Sequence, residues 1–341
     1  MHRPGDGAVS ERALITGGGG FIGMHLARAL AEKGYEVVVA DSFARAVKDR
    51  ALADLVDRFG VRIADTDLLV ADNALALGRD FAVIYHLAAI IGVRHVLERP
   101  FAVLADNVAL TANALELAKR QNNLERFVFA SSSEVTAGAH IHLDAPVPTP
   151  EDIPLALTDI AHPRTSYMLS KIYGEAMCRH AGVPFTIVRP HNVYGPRMGM
   201  AHVVPELLKR AHDLKAGGKL DVASVDHRRA FCYADDAVDM IFRLSTAPGA
   251  ENGTFNVGNQ TAEMSIGDLA AIVVSVVGRD AEINPLPPTP GSPTRRCPDM
   301  RRTAAVTGFV PAVSVAEGVA RTYAWYRDNV FAGAGMEASA V

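Results

Sequence analysis

A doubly wound parallel α/β sheet with a smaller, discontinuous C-terminal lobe is the fold the sequence predicts, and three observations carry it. Short apolar runs alternate with helix-patterned segments from residue 13 to residue 188, the order that right-handed crossovers between parallel strands produce. The first run, Ala13-Leu14-Ile15, meets the glycine-dense turn Gly17-Gly18-Gly19-Gly20 and then a helical pattern over residues 21–33. Beyond Pro190 the alternation gives way to frequent Pro and Gly and to short strand patterns. That change marks a second lobe, expected over the strand ends, where such sheets bind ligands.

Taken in order, residues 36–40 form a Val-rich second strand ending at Asp41. Residues 46–59 place Val47, Leu52, Leu55, Val56 and Phe59 at helical spacing, and residues 61–64 read as a third strand. The run 81–85 is a fourth strand leading into His86-Leu87-Ala88-Ala89; the apolar stretch 81–93 is too short to span a bilayer. A helical region over 93–121 is expected to break or restart at Pro100. Residues 127–130 and 185–188 are the fifth and sixth strands, 220–223 is a short lobe strand, 235–244 a helix and 254–257 a further sheet strand. Six prolines in 284–298, Pro290 among them, exclude a helix there.

The 341 residues, 49% apolar and 21% charged, are those of a soluble globular chain, and a formal charge of −4 gives no footprint for nucleic acid or an anionic membrane. Cys178, Cys232 and Cys297 are odd in number and widely spaced, neither a disulfide framework nor a zinc pattern, which is read as a reducing cytoplasm. His191, His202 and His227 have no matching ligand set, so no metal is expected. Residues 1–10 read as a loose leader and 331–341 as a flexible tail.

The glycine turn fits both Gly18-x-Gly20-x-x-Gly23 and Gly17-x-x-Gly20-x-x-Gly23. A strand, a glycine turn and a helix N-terminus in that order suit a dinucleotide diphosphate, because backbone N–H groups and the helix dipole point at it. Asp41, 18 positions after Gly23, stands near the spacing at which an acid binds the adenosine ribose; it favours NAD, while Arg45 nearby keeps NADP open. Asp65 closes the third strand as an adenine contact or a turn acid.

The fifth strand ends in Ser131-Ser132-Ser133-Glu134, and Tyr167-Met168-Leu169-Ser170-Lys171 follows. Tyr167 and Lys171 share a helix face. A phenol with a free pKa of about 10 is a poor base, but an adjacent ammonium and a cationic nicotinamide favour the phenolate. Ser132 would hydrogen-bond the same substrate oxygen.

With those residues, the chain resembles the extended short-chain dehydrogenase/reductases of the nucleotide-sugar epimerase/dehydratase family. Asn107, Arg189 to Pro196, Arg229 to Asp236 and Arg296-Cys297-Pro298-Asp299 extend the likeness over roughly residues 12–328. The resemblance implies a Rossmann-type NAD domain over 1–190, with 231–258 returning to it, and an NDP-sugar lobe over 191–230 and 259–330. It places Gly17, Gly20, Phe21, Ile22, Gly23, Asp41, Asp65, Leu87, Ala88 and Ala89 against NAD, with Tyr167 and Lys171. It places Ser133, Asn192, Arg229 and Arg296 against the NDP-sugar, most often a UDP-sugar, and Asn107 near cofactor or substrate. It makes Tyr167, Lys171, Ser132 and Glu134 the catalytic set, acting through a 4-keto sugar.

Relatives that remove water carry Asp-Glu after the strand-end Ser/Thr; here Ser133-Glu134 stands there, against 4,6-dehydration. Decarboxylases of UDP-glucuronate share Ser-Glu, whereas the Ser-Tyr-Met-Leu-Ser-Lys helix matches epimerases. The resemblance therefore implies 4-epimerisation, with decarboxylation or another 4-keto-forming reaction of an NDP-sugar as the alternative and a catalytically inactive NAD-binding sensor or scaffold as the alternative of another class. Two departures, Val135-Thr136-Ala137 followed by the long loop 138–164, and Val222-Ala223-Ser224-Val225, bear on sugar identity. Helical segments 93–121 and 166–180 resemble those that build a homodimer interface.

Overall fold

The computed structural model describes residues 11–215, 217–288 and 293–332; the leader, the tail from residue 333 and Pro290 lie outside them. One all-parallel sheet is built from β1 (Arg12–Thr16), β2 (Glu36–Asp41), β3 (Arg62–Asp65), β4 (Val83–His86), β5 (Arg126–Ala130), β6 (Phe185–Pro190) and β7 (Gly253–Val257), in the order β7-β6-β5-β4-β1-β2-β3. The predicted doubly wound fold is the observed one. Strand order reverses between β1 and β4, which opens a crevice at their carboxyl ends.

Both sheet faces are covered, which is why the strands read as continuous apolar runs and not as alternating ones. Ala13 and Ile15 of β1 pack with α1 (Phe21–Glu32), α2 (Arg50–Phe59) and the later helix α5 (Ala234–Thr246). Leu14 points the other way, into the layer of α3 (Pro100–Lys119) and α4 (Thr165–His180), among Ala114, Leu115 and Cys178. The break expected at Pro100 is there: a short helix, Val93–Glu98, ends and Pro100 opens α3 at a first-turn position where its missing N–H costs nothing.

The helix expected over 46–59 starts later, at Arg50. Asp49 is its N-cap, with its side chain accepting from Leu52 N at 3.0 Å. Residues 42–49 are instead a loop that folds back over the glycine turn, with Phe43 at φ 51°.

Helix α4 lies unusually close to the sheet. A Cβ on Gly174 would come within 2.2 Å of the Phe129 ring, so only glycine lets the two approach. A buried ion pair then fixes the helix lengthwise: Arg189 Nε and Nη2 each donate at 2.8 Å to the two carboxylate oxygens of Glu175. Ser131 Oγ donates to the same carboxylate at 2.6 Å. One side chain on α4 is thereby tied to the ends of β5 and β6.

Most elements beyond β6 form the lobe, whereas the helix Arg301–Thr307 packs on α5 and β7. Gly218–Ala223 pairs in parallel with Ala281–Leu286, and Arg228–Ala230 lies between Glu263–Ser265 and Arg295–Arg296. Helices Val203–Asp213, Ile266–Val277 and Val315–Tyr326 enclose Leu208, Leu269, Val273 and Val319. Pro285 sits in a two-stranded ladder, where a missing donor is tolerated at an edge. The 138–164 segment opens with the helix Ala137–His142 and is stitched to the sheet end, Glu151 accepting from Asn256 N at 2.8 Å.

Candidate active site

A cavity of 550 Å³ occupies the crevice at the carboxyl ends of β1, β2, β4 and β5. The glycine turn forms its floor. Gly17 sits at φ 69°, and a Cβ there would lie 2.6 Å from Ala88 N; one on Gly23 would lie 2.6 Å from the Gly17 carbonyl oxygen. Gly20 caps α1 without a side-chain bond, so the first-turn N–H groups of that helix face the cavity with no partner inside the helix. Phe21, Ile22, Leu87, Ala88 and Ala89 line the same space.

Asp41 stands at the rim. Its carboxylate accepts from Gly19 N at 3.0 Å and from Phe43 N at 2.9 Å. Burial raises its pKa and those two bonds oppose the rise. Asp65 does not take the position expected of it: it is exposed, paired with Lys48 at 2.6 Å, and Thr66, Asp67 and Leu68 form the cavity wall instead. Backbone donors, space left by missing Cβ atoms and a rim carboxylate together fit a dinucleotide with a free ribose hydroxyl.

Tyr167, Lys171 and Ser132 meet on the opposite wall. The Lys171 ammonium donates to the Ala130 carbonyl at 2.8 Å and lies 5.8 Å from the centroid of the Tyr167 ring. Burial lowers the Lys171 pKa to about 8. Burial pushes Tyr167 up to about 12, with the Glu134 charge adding to the rise and the Ser132 hydroxyl and the Arg45 charge pulling the other way. Burial thus works against the phenolate, and the charges that favour it are the Lys171 ammonium and the cationic nicotinamide.

Two positions beyond Ser132, Glu134 meets a cationic cluster drawn from distant segments. Arg296 Nη1 donates to Glu134 Oε1 at 2.7 Å. Arg296, followed by Arg164 and Arg229, holds the Glu134 carboxyl below the usual range against the effect of burial. Burial and the neighbouring Arg296 charge lower Arg229 to about 10, while its Nη2 donates to the Pro293 carbonyl at 2.7 Å. Ser133 is buried behind Glu134. Asn192 donates to the Ala230 carbonyl at 3.2 Å, which braces the lobe and commits half of the amide expected to meet a phosphate.

Asn107 acts one step away. Its amide accepts from Ile90 N at 2.6 Å and donates to the Ile90 carbonyl at 3.0 Å, and it reaches Ser170 Oγ at 3.2 Å. It therefore fastens the loop after β4 to the Tyr167 helix. His191 is buried against Asn256, and burial drives its pKa to about 3. Among the described residues no group of three His, Cys, Asp or Glu is placed to hold a metal. Sequence reasoning missed Arg164, Arg197 and the Glu175–Arg189 pair. The Asp49 cap, an Asp just before an apolar-periodic run, was the one available signal that residues 42–49 are a loop.

The sequence profile of the NAD dependent epimerase/dehydratase family matches residues 13–258, and the chain belongs to that family. It is similar to a probable UDP-glucuronate 4-epimerase of Rhizobium meliloti, 35% identical over 352 residues, covering 93% of this chain and 97% of the relative. It is also similar to UDP-glucuronic acid decarboxylase 1 of Xenopus tropicalis, 32% identical over 94% of this chain and 73% of the relative. Among solved structures, the UDP-glucuronic acid 4-epimerase of Bacillus cereus in complex with UDP-glucuronic acid and NAD superposes with a TM-score of 0.77, at 26% identity over 93% of this chain and 99% of that one. The chain is thus an NAD-dependent enzyme of this family, and the cleft is the place its residues fit that cofactor.

Proposed function

We propose that the chain is an NAD-dependent UDP-sugar 4-epimerase acting on a UDP-hexuronate. The observation that carries the reading is the neighbourhood of two groups. Ser132, Tyr167 and Lys171 line one end of the cleft, and beside them Glu134, whose charge reaches Tyr167, is kept anionic by Arg296. A carboxylate held in that form has no proton to give a departing hydroxyl, so the site favours oxidation and re-reduction at C4 over loss of water. Three arginines around one carboxylate leave an excess of positive charge suited to a diphosphate and a sugar carboxylate. The similarity to proteins named for UDP-glucuronate supports the hexuronate.

NAD supplies the hydride acceptor at C4. With the cofactor bound, its positive nicotinamide together with the Lys171 charge would favour the phenolate; Tyr167 Oη, its own proton already released to solvent, then takes the C4 hydroxyl proton while Ser132 Oγ holds the same oxygen. After the 4-keto sugar turns over in the pocket, Tyr167 returns the proton to the oxygen as hydride re-enters the opposite face of C4. Arg229 and Arg296 hold the diphosphate through that rotation.

Decarboxylation is the second reading, favoured by the Ser133-Glu134 order and the likeness to the Xenopus tropicalis decarboxylase. Incubation with UDP-glucuronate and NAD, followed by NMR of the sugar and CO2 capture, separates the two. The proposal expects the C4 epimer, no CO2 and no net NADH; a UDP-pentose with stoichiometric CO2 would overturn it. We further propose a homodimer through α3 and α4, where Phe101 is 85% exposed and Tyr173 is 53% exposed; a monomer at micromolar concentration in sedimentation would refute it.

A further inference from the structure

The loop 42–49 carries a residue that the epimerase reading leaves unexplained. Arg45 reaches across the cleft from the end of β2 and donates through Nη1 to the Ala89 carbonyl, after β4, at 3.3 Å. Its Nε and Nη2 are buried and have no hydrogen-bond partner among the described residues. A guanidinium offers five donors, and leaving them unmet in a buried place is costly. The side chain lines the cofactor cavity, so the unmet donors belong to that space.

The loop that bears Arg45 is anchored independently of it. Asp41 accepts from Phe43 N at 2.9 Å. From the start of the C-terminal lobe, Arg197 pairs with Asp49 at 2.7 Å, donates to the Val47 carbonyl at 3.2 Å and reaches the Gly19 carbonyl at 3.4 Å. The glycine turn, the loop and the lobe are thereby bound into one layer, and Arg45 is its free end.

We propose that Arg45 is a ligand for the diphosphate of NAD, closing over it as a strap between the 42–49 loop and Ala89, so that the cofactor stays in place through turnover. Its location along the cleft selects the diphosphate. The Arg45 charge is felt both by Asp41 at the ribose rim and by Tyr167 at the catalytic wall, and the diphosphate lies between those two ends of a dinucleotide stretched over the glycine turn. A 2′-phosphate would have to sit against the Asp41 carboxylate, which repels it. The Ala89 bond holds the strap shut across the cleft, and the guanidinium geometry lets Nε and Nη2 engage one phosphate side by side. The inference rests on the cofactor alone and stands whichever sugar reaction the enzyme performs.

The test compares wild type with Arg45→Ala and Arg45→Lys, first as purified and then stripped of cofactor. NAD retained per chain after exhaustive dialysis is one readout. Calorimetric affinities for NAD, ADP-ribose, NADP and adenosine are the second, with thermal melting as a check on folding. Loss of charged hydrogen bonds to phosphate predicts that Arg45→Ala weakens NAD and ADP-ribose by about ten- to a hundredfold. Adenosine binding and melting are unchanged, and Arg45→Lys recovers part of the loss. Equal NAD affinity in wild type and Arg45→Ala would overturn the proposal. So would a loss confined to NADP, which would place the guanidinium at the 2′ position, or an equal loss for adenosine, which would mean only that the loop had moved.

Discussion

The two walls of the cleft are built on different principles. The cofactor wall is largely backbone: a glycine turn, the first turn of α1 and the strand end at Asp41, all within one stretch of 30 residues. The site proposed for the sugar is largely side chain. Glu134 and Arg296 are 162 positions apart, and Arg164 and Arg229 come from two further segments. Backbone sites tolerate few substitutions because a Cβ collides with main chain at once, as at Gly17 and Gly23. Side-chain sites can be retuned one residue at a time. The comparison explains how a family can keep one cofactor and vary the reaction, and it can be tested from the catalytic centre outward.

The largest effect is expected at Tyr167, where the walls meet. Tyr167→Phe removes the proton acceptor and leaves the ring in its packing. Turnover should fall by about 10²- to 10⁴-fold, with NAD content and melting temperature unchanged. Stopped-flow absorbance of the bound nicotinamide would show whether hydride transfer itself is lost. A variant that still turns over at the wild-type rate would remove Tyr167 from the chemistry and break the assignment of the two walls.

Next in size is the support beneath the catalytic helix. Arg189→Ala leaves the Glu175 carboxylate buried among α4, β5 and β6 without its two 2.8 Å bonds. Breaking a buried pair from one side costs about 3–5 kcal/mol, read as a shift of the denaturation midpoint in urea at neutral pH. A shift under about 1 kcal/mol, the range of an exposed pair, would mean that the helix is held by packing at Gly174 alone.

These contrasts also account for what the sequence discloses. The seven strands, the glycine frame and the Tyr167–Lys171 spacing are local or periodic patterns, and they were legible from residue order. Of the two roles open to Asp65, the structure shows the turn acid paired with Lys48, and Asp67, two positions later, lines the cavity. The start of α2 was misread because Val47 continued the apolar period while Asp49 capped the helix two positions later. Arg197 with Asp49, Arg189 with Glu175 and Arg296 with Glu134 are contacts of the tertiary fold, without a local signature in either partner. Tyr167 stands beside Ser132 and Lys171 as the motif implied, and the burial that works against its phenolate is not visible in a motif.

The smallest effect, and the most selective, is expected at Glu134. Its folded pKa is depressed, so its contribution to stability is present above the ordinary carboxylate pKa and is lost as pH falls through the lower folded value. The side chain is 43% exposed, and solvent screening keeps that contribution within about 1 kcal/mol. Glu134→Gln should therefore melt close to wild type. It also removes the one negative charge from among Arg164, Arg229 and Arg296, which strengthens their attraction for a dianionic diphosphate, and KM should fall by about two- to fivefold while kcat holds. The carboxylate stays ionised between about pH 5 and pH 8, so the wild-type kcat profile should show no acidic limb that the substitution abolishes. A kcat loss of about a hundredfold in Glu134→Gln, with such a limb disappearing, would make Glu134 a proton carrier in the chemistry and turn the reading from C4 epimerisation toward elimination or decarboxylation.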